Sequence, residues 1–273
     1  MSKSKNNVVD PLEASETYTM EGLRYFLLRE GVPHSDGNYS SVKAMRILNA
    51  ELADTMGNLL SRVCAKSLNP RQIYPRLHTA QLRDIMKTEA AQHLLKSLEQ
   101  LKEKCGQHYE DKNFYMAVDN VMSALHAANS FFETSRPWEL KLKTVTEPAK
   151  RSLLYPPTDE NALRLETIVA MTMDTLRLSG IVLQPILPGI AGRMLDKLSV
   201  PWNQRLWNNL DDHFGRILRN ECEPPIEASL SRADAVLFRR IYPQDEDVDR
   251  KDTVAPKKKS KKAEKKDSKK IAQ

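Results

Sequence analysis

A chain of 273 residues with 40% hydrophobic content is long and apolar enough to bury a real core, and its 9 Gly and 6% aromatic residues favour helices over a sandwich or barrel. The formal charge of +6 suggests a nucleic-acid partner until it is located. Ten of the 42 basic residues lie in 251–273 beside only Asp252, Glu264 and Asp267, so the preceding residues are close to neutral and attraction to RNA there must come from local patches.

In chain order, Thr17 or Thr19 can cap a helix that runs to about Arg29, with Arg24 and Arg29 on different sides and Gly31 and Pro33 closing it. Met45, Leu48, Leu52, Met56, Leu59 or Leu60, and Val63 recur at three and four, which predicts one long helix from Ser40 to Leu68 before Asn69 and Pro70. A second helical stretch spans roughly Thr79 to Cys105. The third runs from about Asn113 to Ser135, with Phe114, Val118, Val121, Leu125, Ala128 and Phe132 as its inner stripe, and Pro137 ends it. A fourth extends from about Asp159 through Leu183, where Pro185 and Pro188 kink or divide the chain. An amphipathic piece follows near Leu206 to Leu218, and Trp202 and Trp207 are assigned to packing. No strand pattern of useful length is visible. Four long amphipathic segments joined by modest loops describe an all-α antiparallel bundle, and residues 246–273 read as a lysine-rich disordered tail.

Cys64, Cys105 and Cys222 are widely spaced and form no CxxC pair, so a reducing compartment fits best. The six histidines show no metal-ligand spacing, and no metal site is assigned. The most apolar run, Gly180 to Ala191, is interrupted by Gln184, Pro185 and Pro188 and is shorter than the roughly 18 residues of a membrane span.

On composition alone Ser2, Lys3 and Ser4 open a solvated segment, Asn58 and Arg62 lie one turn apart on a solvated helix face, and Trp138 is a core residue. The order of the surrounding stretches changes that reading. MSKSKNNVVDP, then GLRYFLLREG and SDGNYS, then RILNAELADTMGNLLSR, NSFFETSRPWELK and LQPILP, resemble in sequence the KMSKS loop and following segments of class I aminoacyl-tRNA synthetases, most closely the methionyl-tRNA synthetases. The resemblance covers about Met1 to Leu198. It implies that residues 1–39 end a catalytic domain with the KMSKS loop and a stem-contact segment, and that 40–245 form a helical anticodon-binding domain.

The same resemblance implies site residues. Lys3, with Ser2 and Ser4, matches the loop that meets the ATP phosphates, where a mobile ammonium acts on charge that develops in the transition state of adenylate formation. Asn6 stands where the family usually has glycine. Asn58, Arg62 and Trp138 match anticodon contacts, two able to hydrogen-bond an unstacked base and one able to stack it. The implied partners are ATP with Mg²⁺, L-methionine and methionine tRNA, with no membrane. The chain is expected to start at the internal methionine of the KMSKS motif, to lack the nucleotide-binding half, and to be inactive alone. The compact pattern is similar to mitochondrial and bacterial enzymes, which points to the mitochondrial matrix, with the cytoplasm as the alternative. A sister class I synthetase would lack the NLLSR and RPW pair; a free-standing RNA-binding or scaffolding bundle is the non-enzymatic alternative.

Overall fold

The computed structural model describes residues 8–32, 39–140, 159–222 and 227–242, and the expected lysine-rich tail lies outside them. Met1–Ile241 forms one compact unit; of the second, Tyr242–Gln273, only Tyr242 is described. The fold is almost wholly helical. Its elements are α1 (Pro11–Tyr18), α2 (Met20–Glu30), α3 (Ser41–Leu48), a π-helical stretch (Asn49–Gly57), α4 (Asn58–Val63), α5 (Thr79–Ile85), α6 (Glu89–Glu99), α7 (Leu101–Glu110), α8 (Phe114–Ser135), α9 (Glu160–Leu183), α10 (Pro188–Lys197) and α11 (His213–Leu218). Two-residue strands β1 (Ile73–Tyr74) and β2 (Ala228–Ser229) pair antiparallel.

Local chemistry sets the ends of these helices. Asp10 accepts from the Leu12 amide and Pro11 opens α1, so a helix precedes the one expected from Thr19. Thr19, at φ 64°, separates the two and caps α2 through a 3.1 Å bond from Gly22 N. The helix expected from Ser40 to Leu68 stops at Val63, and its middle widens to i→i+5 bonding. The stretch expected as one helix from Thr79 to Cys105 is three, because Thr88 turns extended to cap α6 and Gln100 offsets α6 from α7.

One continuous core runs through the unit. At its centre is α9, in which every residue from Thr167 to Leu183 is buried, flanked by α8, α10, α4 and α5. A helix buried on all sides must satisfy its own polar groups. Thr167, Thr172 and Thr175 bond back to carbonyls one turn earlier. Asp174 and Arg177 pair at 2.8 Å, and Arg177 also donates to the carbonyls of Asn209 and Asp211. Gly180 lets α10 approach closely, since a Cβ there would stand 3.0 Å from Leu195 and Met194 side chains. At the far edge, α2 is tied to α10: the Glu21 carboxylate accepts from the amides of Gly189 and Ile190, while Arg24 donates to the carbonyls of Pro185 and Ile186.

The buried carboxylates differ in sign. Burial raises the Asp174 pKa, but Arg177 and His213 outweigh it and hold the group well below the usual range. Asp212, 8% exposed, is pushed up to about 6 by burial and the nearby Asp174 charge. A carboxyl whose folded pKa exceeds the unfolded value near about 3.9 holds its proton longer when folded, so its contribution to stability is present at low pH and falls as pH rises through that window. Asp212→Asn should therefore match wild type below about pH 4 and exceed it by about 2–3 kcal/mol above about pH 6. Denaturant titrations across this range check the difference, and a pH-independent difference contradicts it.

Candidate nucleic-acid interface

Arg62 is on the last turn of α4, whose opposite face buries Leu59, Leu60 and Val63. Asn58, one turn earlier, is exposed and opens the same helix. The α8 helix runs alongside: Asn129 donates to the Thr55 carbonyl in the π-helical stretch, and Phe131 and Phe132 are fully buried, each contributing about 1.5–3 kcal/mol of apolar burial. That docking brings the end of α8 to Arg62.

The end of α8 is built to turn. Arg136 adopts a left-handed conformation (φ 45°, ψ 55°), an uncommon one for a side chain of its size. Pro137 is buried, and the amides of Glu139 and Leu140 bond back to the carbonyls of Arg136 and Pro137. Trp138 sits within this turn, 37% exposed.

The Arg62 guanidinium lies 5.0 Å from the Phe132 ring centre and 5.8 Å from that of Trp138, and its Nη2 meets Glu133 at 2.6 Å. Arg62 and Trp138, 76 positions apart in sequence, thus share one surface, with Asn58 on the helix that carries Arg62. Ser2, Lys3 and Ser4 lie outside the described residues. Glu133 and Phe132 complete the cluster, and their role was not read from sequence, because a cross-helix partner has no local spacing signal. Charge is balanced here: Arg62 faces Glu133 and Arg136 faces Glu139. A guanidinium has five donors, so one held by Glu133 can still present others to a base edge beside a π face that a base could stack.

The two remaining tryptophans divide. Trp207 packs edge-on to Tyr109 at 5.9 Å, as expected for a packing residue. Trp202 does not: it is 76% exposed, because the 3₁₀ turn at Trp202–Gln204 carries it outward. The cysteines Cys64 and Cys105 are free and buried, with burial pushing their thiols up to about 11 and about 12. Among the described residues no helix is long and apolar enough to cross a membrane.

A family model described as class I tRNA synthetases (M) matches residues 1–64. The mitochondrial methionine–tRNA ligase of Takifugu rubripes is 35% identical over 253 residues, covering 89% of this chain and 39% of that protein; its Homo sapiens counterpart is 34% identical, covering 75% and 34%. The crystal structure of Mycobacterium tuberculosis methionyl-tRNA synthetase bound by methionyl-adenylate superposes with a TM-score of 0.69 at 26% identity, over 88% of this chain and 41% of that one. Fold and sequence together place the chain among the class I aminoacyl-tRNA synthetase families. Within that class the chain belongs to the methionyl-tRNA synthetase family, to which these methionine–tRNA ligases belong, and the sister-synthetase alternative is set aside. The chain spans about two fifths or less of the length of those relatives.

Because the Arg62–Glu133 pair is partly exposed, Arg62→Ala and Glu133→Ala should each cost no more than about 1 kcal/mol of stability. Asp174→Ala strands the buried Arg177 and should cost about 3–5 kcal/mol. Thermal and denaturant unfolding of the three variants checks this contrast; comparable losses would make the Arg62 cluster structural rather than a surface available for binding.

Proposed function

We propose that this chain is the tRNA-reading part of a methionine–tRNA ligase, and that Asn58, Arg62 and Trp138 contact the methionine anticodon. The observation that carries the reading is the Arg62 guanidinium held between the buried Phe132 ring and the exposed Trp138 ring. Hydrogen-bonding groups and a stacking face are thereby offered together, as recognition of an unpaired base requires. In this division residues 1–39 close the catalytic domain with its KMSKS loop and stem-contact segment, 40–245 form the anticodon-binding bundle, and 246–273 are the lysine-rich tail.

The complete enzyme joins methionine to ATP, releasing diphosphate and forming methionyl-adenylate, then transfers the methionyl group to the 3′ end of methionine tRNA with release of AMP. Lys3 meets charge developing on the phosphates, with Ser2 and Ser4 adding hydroxyl donors; Mg²⁺ accompanies ATP. The 273 residues alone bind tRNA and form no adenylate, consistent with their covering two fifths or less of the relatives' length. A mitochondrial matrix location is supported by the relatives named as mitochondrial.

The three contacts differ in kind, and so do their variants. Trp138→Ala should weaken methionine tRNA and an anticodon-altered tRNA alike by roughly 1–3 kcal/mol, whereas Arg62→Ala and Asn58→Ala should narrow the gap between the two. Filter-binding titrations with helicity checked by circular dichroism make the comparison. Full affinity and discrimination in all three folded variants would move the anticodon site elsewhere.

The loop makes a separate demand. In an enzyme completed with a nucleotide-binding half, Lys3→Ala should slow adenylate formation by about 10²–10³-fold, the scale of losing one preorganised electrostatic contact. Pyrophosphate exchange at the wild-type rate would remove Lys3 from the mechanism.

A further inference from the structure

We propose that Trp202 is a second base-stacking platform, taking an unpaired nucleotide of the bound tRNA away from the bases that Arg62 reads. The inference rests on the chain being a tRNA binder, and the geometry of one turn carries it beyond that reading. Trp202 is 76% exposed, yet its indole is not loose: the Arg205 guanidinium lies 4.4 Å from the ring centre on one side. Arg205 is itself 6% exposed and fixed from below, donating Nε and Nη2 to the Val200 carbonyl at 2.8 and 2.6 Å and pairing with Asp196 at 2.7 Å. Its Nη1 has no hydrogen-bond partner, which leaves the indole as the group stacked on that buried cation. The platform is therefore rigid on its inner face and open to water on its outer one.

The guanidinium, itself paired with Asp196, covers the inner face of the ring and leaves the outer face as a flat, open π surface. A planar, uncharged base fits such a face, and its stacking is tolerant of base identity. Pro201 and Gln204, which flank the indole in sequence, line a cleft of about 450 Å³ together with Ser199, Asn209, Arg216 and the Asp211 carboxylate. The ion pairs of Arg216 are long, 3.4 Å to Asp211 and 3.8 Å to Glu221, so a phosphate can share its guanidinium. Ser199, Gln204 and Asn209 supply donors and acceptors for sugar or base edges.

The test uses the full 273-residue chain and fluorescently labelled methionine tRNA, read by anisotropy, with Trp202→Ala, Trp202→Phe and Trp138→Ala compared. Trp202→Ala should weaken binding by roughly 5- to 100-fold, equally for methionine tRNA and an anticodon-altered version, while Trp202→Phe keeps most of the affinity and circular dichroism is unchanged. Wild-type affinity in Trp202→Ala beside a loss in Trp138→Ala overturns the platform and leaves the anticodon reading standing. The converse, a loss only in Trp202→Ala, supports the platform and counts against the anticodon site. A change in sedimentation with tRNA affinity intact would make the indole a contact between copies of the chain, which also overturns the proposal.

Discussion

The fold depends on an ion pair inside the stretch of α9 that has no solvent face. Asp174 and Arg177 are one turn apart in α9, both almost fully buried, and their attraction survives only because each is saturated by other partners. Arg177 takes two backbone carbonyls from residues 209 and 211, and Asp174 accepts from the His213 amide while its other oxygen lies 3.0 Å from the His213 ring. The pair thereby fastens the returning chain between α10 and α11 to the middle of the bundle. An apolar replacement of matching shape could be as stable, but loss of either partner alone would leave a charge with no water.

That rigid centre is what permits economical surfaces. The α4 and α8 helices are positioned by their buried sides, so their exposed sides can carry Asn58, Arg62 and Glu133, and the turn after α8 can carry Trp138, without contributing much to stability. The left-handed Arg136 fits the same logic, as local strain is sustained where surrounding packing over-determines the backbone. Glu21 and Arg24 bind the two backbone ends that meet at the α9–α10 junction, an amide pair and a carbonyl pair. The segment that follows the KMSKS-like residues is in this way attached to the bundle by charge-assisted bonds rather than by apolar contact alone.

Much of the architecture was legible in the sequence, and for identifiable reasons. α8 and α9 were placed within a residue or two because Asp159 caps one, Pro137 follows the other, and their apolar positions run uninterrupted. The π-helical stretch was not, since Leu48, Leu52, Met56 and Leu60 fall at intervals of four that an α-helix accommodates equally well. The breaks at Thr88 and Gln100 were hidden by continuous helix-forming composition, and the Thr88 cap emerges only in the fold. Asn58, Arg62 and Trp138 came from ordered resemblance, not from spacing. What the sequence could not disclose was Glu133 on Arg62, or the buried Arg205 that backs the Trp202 ring, because both depend on which helices and turns become neighbours.

The central claim is that the surface shared by Arg62 and Trp138 holds anticodon bases. It is tested most directly by photocrosslinking the chain to a hairpin bearing the methionine anticodon with 5-bromouridine in place of its uridine, then mapping the attached peptide by mass spectrometry. Crosslinks confined to the α4 end or the Arg136–Leu140 turn, competed by unlabelled methionine tRNA, are the expected result. Crosslinks that map elsewhere, or none in a complex that binds, would contradict the account.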